Sequence, residues 1–404
     1  MTDVHSVVDW LTDGARSGSL SEDVLLELCR RMVDAGIPLW RVAVFVNTLH
    51  PDVIGRAFIW QAETGVKVSE AQYDILETEE YRNSPVVAVY ASRKPLRRRV
   101  TDPDCPEDFP TVRELRAAGA TDYVAFPLEF TDGTVHVATW STLQPGGFTP
   151  EQFAGLKSII APLTRVAEIR ALRRTAGNLL NTYVGRSAGE RILAGKIRRG
   201  FLETIHAAIW LSDMRGFTML AERLPPRELV DLLNRYFDCQ VPPIVAHGGE
   251  VLKFMGDGLL AIFPLSADGS DAGEVCGRAL ASAREAKALI DALDAPPSAE
   301  GGEAIRFGLA LHMGQVMYGN IGGGNRLDFT CIGPAVNLAA RLENVAAKLH
   351  KTIVASAEFA GHVPGAFTPL GEFAVAGFAA PQMVFGLAAA SESRQPAPRA
   401  MKVQ

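Results

Sequence analysis

The sequence predicts an α+β protein, with a sheet-and-helix domain toward each end and a long helix between them. Three observations predict this. Residues 120–142, ATDYVAFPLEFTDGTVHVATWST, hold two β-rich runs joined through Thr131-Asp132-Gly133, a hairpin signal. Phe153, Leu156, Ile160, Leu163, Val166, Ile169 and Leu172 step by three and four, which places one apolar stripe on a helix. Beyond residue 200, short apolar runs alternate with amphipathic stretches. Two of those runs lead into an aspartate, Asp213 in IWLSDMRGFT and Asp257 in VLKFMGDGLL.

The 404 residues exceed one ordinary domain and suit two or three. Hydrophobic residues at 48% and charged residues at 21% fit a soluble globular chain with a core in each domain. A formal net charge of −6 argues against nucleic acid as a partner, because phosphate-backbone binding wants a basic face. Cys29, Cys105, Cys239, Cys276 and Cys331 are scattered without a CxxC pair, which fits reduced thiols rather than disulfides or zinc. No apolar run of 18 residues occurs, so no transmembrane segment is expected. MTDVHSVVDWLTDG lacks a basic segment followed by an apolar one, so no signal peptide is read and a cytoplasmic location is expected.

Residues 1–40 read as helical, with Val24, Leu25, Leu28, Met32 and Ile37 near helical spacing. RVAVFVNTLH and GRAFIWQ read as strands, PVVAVYASRKPLRRRV contains another extended segment, and the hairpin follows. Thr149 suits an N-cap and Pro150 the first helical position. The stripe that follows is either a seam joining two chains or a helix packed on its own domain. Its basic residues, Arg170 to Arg199, fit a solvated face. Next come a strand, HAAIWLSDM; a helical stretch ending in glycine, PPRELVDLLNRYFDCQVPPIVAHGG; and two strands around Gly256-Asp257-Gly258. EVCGRALASAREAKALIDALDA reads as an amphipathic helix, APPSAEGGE as a loop, AIRFGLALHMGQVMYGNIG as a pair of strands and PAVNLAARLENVAAKL as a helix. TIVASAEFAGHV and the segment to about 388 close the sheet, and the polar, proline-containing tail SESRQPAPRAMKVQ is expected to be disordered.

Two carboxylates at strand ends or turns are equipped to hold a pair of hard divalent cations through oxygen, the main tool for moving phosphoryl groups. Asp also favours turns for its own sake, so the spacing alone leaves both readings open. The order DMRGFT, LKFMGDG, LHMGQVMYGNIG and DFTCIGPAVNLAARLE resembles the class III nucleotidyl cyclase catalytic domain, the family of adenylyl and guanylyl cyclases. The resemblance covers about 180 residues, nearly half the chain. The N-terminal order of elements is similar to GAF-type and PAS-type sensor domains. The resulting expectation is a GAF/PAS-like regulatory domain over 1–150, a connecting signalling helix and linker over 151–200, a ferredoxin-like catalytic domain over 201–388 and a tail over 389–404. An unknown small molecule or protein would regulate the first domain.

The resemblance implies an adenylate cyclase that converts ATP to 3′,5′-cyclic AMP and pyrophosphate. It implies a homodimer with two Mg²⁺ or Mn²⁺ ions per active site at the interface. Asp213 and Asp257 match the metal carboxylates, and a backbone carbonyl near Met214 would join them. Gly216, Phe217 and Thr218 would open the next helix and offer N–H groups to phosphate; simple N-capping explains them equally. Lys253 and Thr330 match the base-reading pair, with lysine donating to adenine N1 and the threonine hydroxyl accepting from the exocyclic amine. Guanylyl cyclases typically carry Glu and Cys or similar residues there. Asn337 would orient the ribose and Arg341 would stabilise charge on the phosphoryl group; their i, i+4 spacing puts both on one helix face. Alone, that face reads as an exposed polar surface. The family's basic triphosphate contact is missing from FAVAGFAAPQMVF around Gly377. His312 reads as a packed strand residue. A guanylate cyclase and a catalytically weak nucleotide-binding signalling module stand as alternatives, whereas a diguanylate cyclase would need a GG[DE]EF-type turn that KFMGDGLL lacks.

Overall fold

The structure, a computed structural model, describes residues 3–293, 305–324 and 326–388. The loop expected at 295–303 and the tail expected at 389–404 lie outside these residues. The chain divides into two compact units between Thr182 and Tyr183.

The first unit begins with α1 (Val4–Thr12) and α2 (Ser21–Asp34). Asp3 caps α1 by accepting the His5 N–H at 3.1 Å, and the Asp23 carboxylate of α2 accepts the Leu20 N–H at 2.9 Å. There follow β1 (Arg41–Asn47), β2 (Val53–Gln61), β3 (Gly65–Gln72), α3 (Glu79–Arg82), α4 (Pro85–Ser92), β4 (Leu96–Arg98), α5 (Pro110–Ala117), β5 (Asp122–Glu129), β6 (Val135–Thr142) and α6 (Pro150–Val184), whose last two residues fall in the second unit. The six strands form one antiparallel sheet in the order β3-β2-β1-β6-β5-β4. Alternation along β1 divides its faces. Val42, Val44 and Val46 pack with Leu28, Met32, Trp60, Trp140 and the first half of α6, while Ala43 and Phe45 face the other way, toward the side that α4 and α5 cover.

The structure refines two expectations. The segment from Pro85 does contain an extended stretch, Leu96–Arg98, but it opens with a helix as far as Ser92. The run of valines misleads, whereas Ser84 and Pro85 carry the true signal: the Ser84 hydroxyl accepts the Val87 N–H at 3.3 Å and Pro85 opens the helix. Of the two readings left open for the α6 stripe, packing on its own domain holds for the first half of the helix. Leu156, Ile159, Leu163 and Val166 are buried in the unit's own core, while Ile169, Leu172, Leu179 and Tyr183 are 50%, 60%, 40% and 81% exposed.

The second unit comprises α7 (Arg186–Leu193), β7 (Leu202–Met214), α8 (Phe217–Arg223), α9 (Pro226–Asp238), α10 (Val241–Ala246), β8 (Glu250–Met255) and β9 (Gly258–Pro264). It continues with α11 (Ala272–Asp291), β10 (Phe307–Gly323), β11 (Arg326–Ile332), α12 (Pro334–Lys348), β12 (Ile353–Ser356), α13 (Ala357–Gly361), β13 (Phe367–Phe373) and β14 (Gln382–Leu387). The sheet order is β13-β14-β12-β10-β7-β9-β8, with β11 paired to β10. Its centre, β10-β7-β9-β8, is antiparallel and built in βαββαβ order. Central β7 is buried on both faces, so Ala207, Ala208, Ile209 and Trp210 form an unbroken apolar run. Trp210 and Leu309 meet α9 and α11, while Ile209 and Leu211 meet Ala335 and Ala339 of α12 on the opposite face.

The pair of strands expected over 304–322 is a single strand, Phe307–Gly323. Its glycines allow close approach rather than a turn: a Cβ on Gly319 would collide with the Phe201 carbonyl. The split stripe of α6 makes a testable contrast. Leu163→Ala should destabilise the chain by about 2–5 kcal/mol, whereas Leu172→Ala should stay within about 0.5 kcal/mol, read from urea unfolding at low protein concentration.

Candidate active site

Strand pairing brings the two sequence-distant aspartates together. Asp213 is the penultimate residue of β7 and stands opposite Gly258 of β9. Asp257 immediately precedes Gly258, in a two-residue turn closed by the Met255–Gly258 pair. Gly256 takes φ +69° at the turn's first central position, the place where such hairpins want glycine. Gly258 also keeps the approach open, because a Cβ there would lie 3.3 Å from Asp213 Oδ1 and 3.1 Å from the Ser212 carbonyl.

The pairing of Asp213 with Gly258 sets Asp257 beside Asp213, close enough for its charge to act on the Asp213 carboxyl. Burial pushes the Asp213 carboxyl up to about 6; the charges of Asp257 and then Glu343 add to the rise, and Arg215 opposes it. Glu343, on α12, is 5% exposed and pairs with Arg215 at 2.6 Å. This pair fills the space over Gly308, where any Cβ would collide with both groups. Gly308 is the β10 residue opposite Asp213.

This donor set fits a divalent cation. Two adjoining carboxylates in a half-buried site hold excess negative charge, and hard cations are bound by such oxygens. Among the described residues no group of three or more His, Cys, Asp or Glu side chains is placed for a metal. A cation held here would take two side-chain carboxylates from the described residues and the rest of its oxygen shell from elsewhere. The Met214 side chain is buried in the core on the α9 and α11 side, which leaves only its backbone carbonyl as a donor.

The remaining candidates lie around this edge. Gly216 precedes α8 in a left-handed conformation at φ +73°. The first bonds to its carbonyl come from Met219 and Leu220, so the N–H groups of Phe217 and Thr218 lie ahead of the helix ladder. Lys253 on β8 pairs with Asp328 of β11 at 3.2 Å. Thr330, two residues along β11, is 3% exposed, and its buried hydroxyl has no hydrogen-bond partner among the described residues. Asn337 and Arg341 are both exposed on α12, and neither side chain has a hydrogen-bond or charge partner among the described residues. His312 is buried and bonded to Ser356 at 2.8 Å, with its basicity lowered by burial, in keeping with a packed residue.

Three participants escaped the sequence reading: Arg215, Glu343 and Asp328. Asp328 shares a strand face with Thr330 through the period of two, a usable signal. Nothing in the spacing of Arg215 and Glu343 marks them as partners.

Residues 203–386 match the family model described as the adenylate and guanylate cyclase catalytic domain. An adenylate cyclase of Anabaena cylindrica is 32% identical over 153 residues, covering 37% of this chain and 29% of that protein. Adenylate cyclase 1 of Rhizobium meliloti is 31% identical over 146 residues, covering 36% of this chain and 21% of that protein. The matches thus span less than a third of either relative. A solved bacterial light-regulated adenylyl cyclase is similar at 29% identity and a TM-score of 0.39, over 46% of this chain and 91% of that one.

The crowding at Asp213 predicts a pH effect in metal-free protein. A carboxyl whose folded pKa is raised from 3.8 to about 6 binds more protons folded than unfolded, so stability falls as pH rises through that window. Asp213→Asn should remove the penalty. With EDTA present, the variant should be more stable than the wild type at pH 7 by about 1 kcal/mol after allowance for solvent screening, with the two converging near pH 4. Thermal melts across pH measure this; a variant less stable at pH 7 would contradict it.

Proposed function

We propose that the cyclase catalytic domain at residues 203–386 converts ATP to 3′,5′-cyclic AMP and pyrophosphate, working as a homodimer regulated by its N-terminal unit. The observation that carries this reading is the adjoining pair Asp213 and Asp257 at the end of the central strand. The two carboxylates, with the Met214 carbonyl, would hold two Mg²⁺ or Mn²⁺ ions. When bound, these ions neutralise the triphosphate and lower the pKa of the ribose 3′-hydroxyl. The N–H groups of Phe217 and Thr218 donate to phosphate oxygens. The 3′-oxygen attacks the α-phosphorus as the bond to pyrophosphate breaks, and the Arg341 guanidinium meets the charge that builds on the phosphoryl oxygens. Asn337 orients the ribose.

Lys253 and Thr330 favour ATP over GTP. The Thr330 hydroxyl is buried and unpartnered, a cost to the free protein that a bound base would relieve. Lys253 supplies the donor for adenine N1, with Asp328 holding its ammonium group between turnovers. Arg341 and Asn337 project outward without partners, as residues serving a second chain's carboxylates would. Ile169, Leu172, Leu179 and Tyr183, with Ala176, repeat at alternating three- and four-residue steps on exposed α6, the pattern of a two-chain seam. The sensor-like layout of the first unit supports a regulatory role.

Purified protein with Mn²⁺-ATP should form cyclic AMP, with little product from Mn²⁺-GTP and none from Asp257→Ala. If product forms equally from both nucleotides, the adenine assignment fails. Thr330→Val should lower kcat/KM for ATP about tenfold while leaving the melting temperature unchanged or raised. Asp257→Ala and Arg341→Ala should each be inactive alone. Mixed in equal amounts, they should recover roughly a quarter of wild-type activity, since half the dimers pair the two and each has one intact site. Absence of recovery in mixed dimers would place all these residues in one chain's site.

A further inference from the structure

The first unit encloses a cavity of about 350 Å³ between its sheet and the covering segments around α3, α4 and α5. Its floor is made of small residues on neighbouring strands. Ala43, Ala57 and Thr139 share one sheet face because Ala43 pairs with Thr139, and Ala57 pairs with Phe45, the next residue of β1 on that face. The same strands carry Val44, Val46, Phe58 and Trp60 on the opposite face, so the cavity follows from side-chain size and not from missing structure. Its volume suits a small organic ligand.

The polar groups select the ligand's charge. Arg41 lies on the floor, on the same sheet face as Ala43, half-buried and beside the Tyr123 phenol. No carboxylate lies within ion-pairing distance of it among the described residues. Arg56 also borders the cavity, but its side chain is engaged with Glu70. The hydroxyls of Tyr81 and Tyr90, on the covering side, have no hydrogen-bond partner among the described residues. A half-buried guanidinium and two phenols are donors awaiting an acceptor. Glu80 and Glu114 also line the space, both exposed, and would oppose a dianion.

We propose that this cavity is a binding site for a small organic monoanion, one carboxylate on an apolar ring-bearing body, held by the fork of Arg41. The carboxylate takes two guanidinium N–H donors of Arg41, the phenols of Tyr81 and Tyr90 supply further donors along the covering side, and the ring lies on the alanine floor. This site is independent of the cyclase reading, and its test is read by binding alone, so a failure here leaves that reading untouched.

The probes are three isosteres that differ in charge: 2-naphthoate, 2-naphthamide and 2-naphthamidinium, titrated into the full chain by calorimetry. Naphthoate should bind at least about tenfold more tightly than the amide, as a charge-assisted bond does over a neutral one. In Arg41→Gln the difference should shrink to within about twofold, and in Arg41→Lys, which keeps charge but loses the fork, it should be intermediate. Ala57→Leu, which fills the cavity from its floor without touching Arg41, should abolish naphthoate binding while the chain still melts cooperatively. Equal binding of acid and amide, tighter binding of the amidinium, or no heat from any probe at about 1 mM would overturn the proposal. So would naphthoate binding that survives Ala57→Leu.

Discussion

The second unit is organised around an electrostatic conflict at one end of its central strand. Asp213, Asp257 and Glu343 are close enough to repel one another, and Arg215 is the one cation that offsets the rise at Asp213. Such crowding costs stability and is sustained only because the surrounding sheet fixes the strands. The two glycines beside Asp213 allow it: Gly258 leaves room for Asp257 to approach, and Gly308 leaves room for the Arg215–Glu343 pair. Charge left uncompensated in free protein is what a bound cation, and through it a triphosphate, would neutralise. The instability and the proposed chemistry therefore share one cause.

Helix α12 links this conflict to the rest of the proposed site. Leu338, Leu342, Val345 and Ala346 bury one side against the sheet, and Glu343 ties the helix to the strand that carries Asp213. At 100° per residue, this packing leaves Asn337, Arg341 and Asn344 on the outside. A substitution at Glu343 would thus disturb the carboxylates and the outward-facing arginine together. Breaking one side of such a buried pair strands the other charge, which is more damaging than never having had the pair.

Much of this was legible in the sequence because it rests on local rules. Short apolar runs and turn chemistry identified the strands that lead to Asp213 and Asp257, and helical spacing put Asn337 with Arg341. One miss was local: residues 85–92 form a helix because a serine–proline start outweighs a valine-rich run. The other failures were properties decided at a distance. Phe307–Gly323 stays one strand, its glycines admitting a neighbouring backbone, a contact invisible without the fold. The Arg215–Glu343 pair joins residues far apart in sequence, and no periodicity connects them. The free hydroxyl of Thr330 is likewise a property of its surroundings; the letter alone allowed a routine β-branched strand residue.

The first unit poses the same question of how one element serves two surfaces. Along β1, Val42, Val44 and Val46 belong to the core that holds the first half of α6, while Ala43 and Phe45 border the cavity on the other face. A ligand in the cavity and the packing of α6 from Leu156 to Val166 are therefore separated by one layer of backbone. Ligand binding can bias that helix only if affinity differs between two arrangements of the strand, and a difference of about 1–3 kcal/mol is the usual size of such coupling. Close packing on the valine face favours two discrete arrangements over a graded one, because a filled core resists continuous deformation. The small residues on the cavity face leave that side free to adjust. The asymmetry of β1, stiff toward α6 and open toward the cavity, is the property on which any regulation of the second unit through α6 would depend.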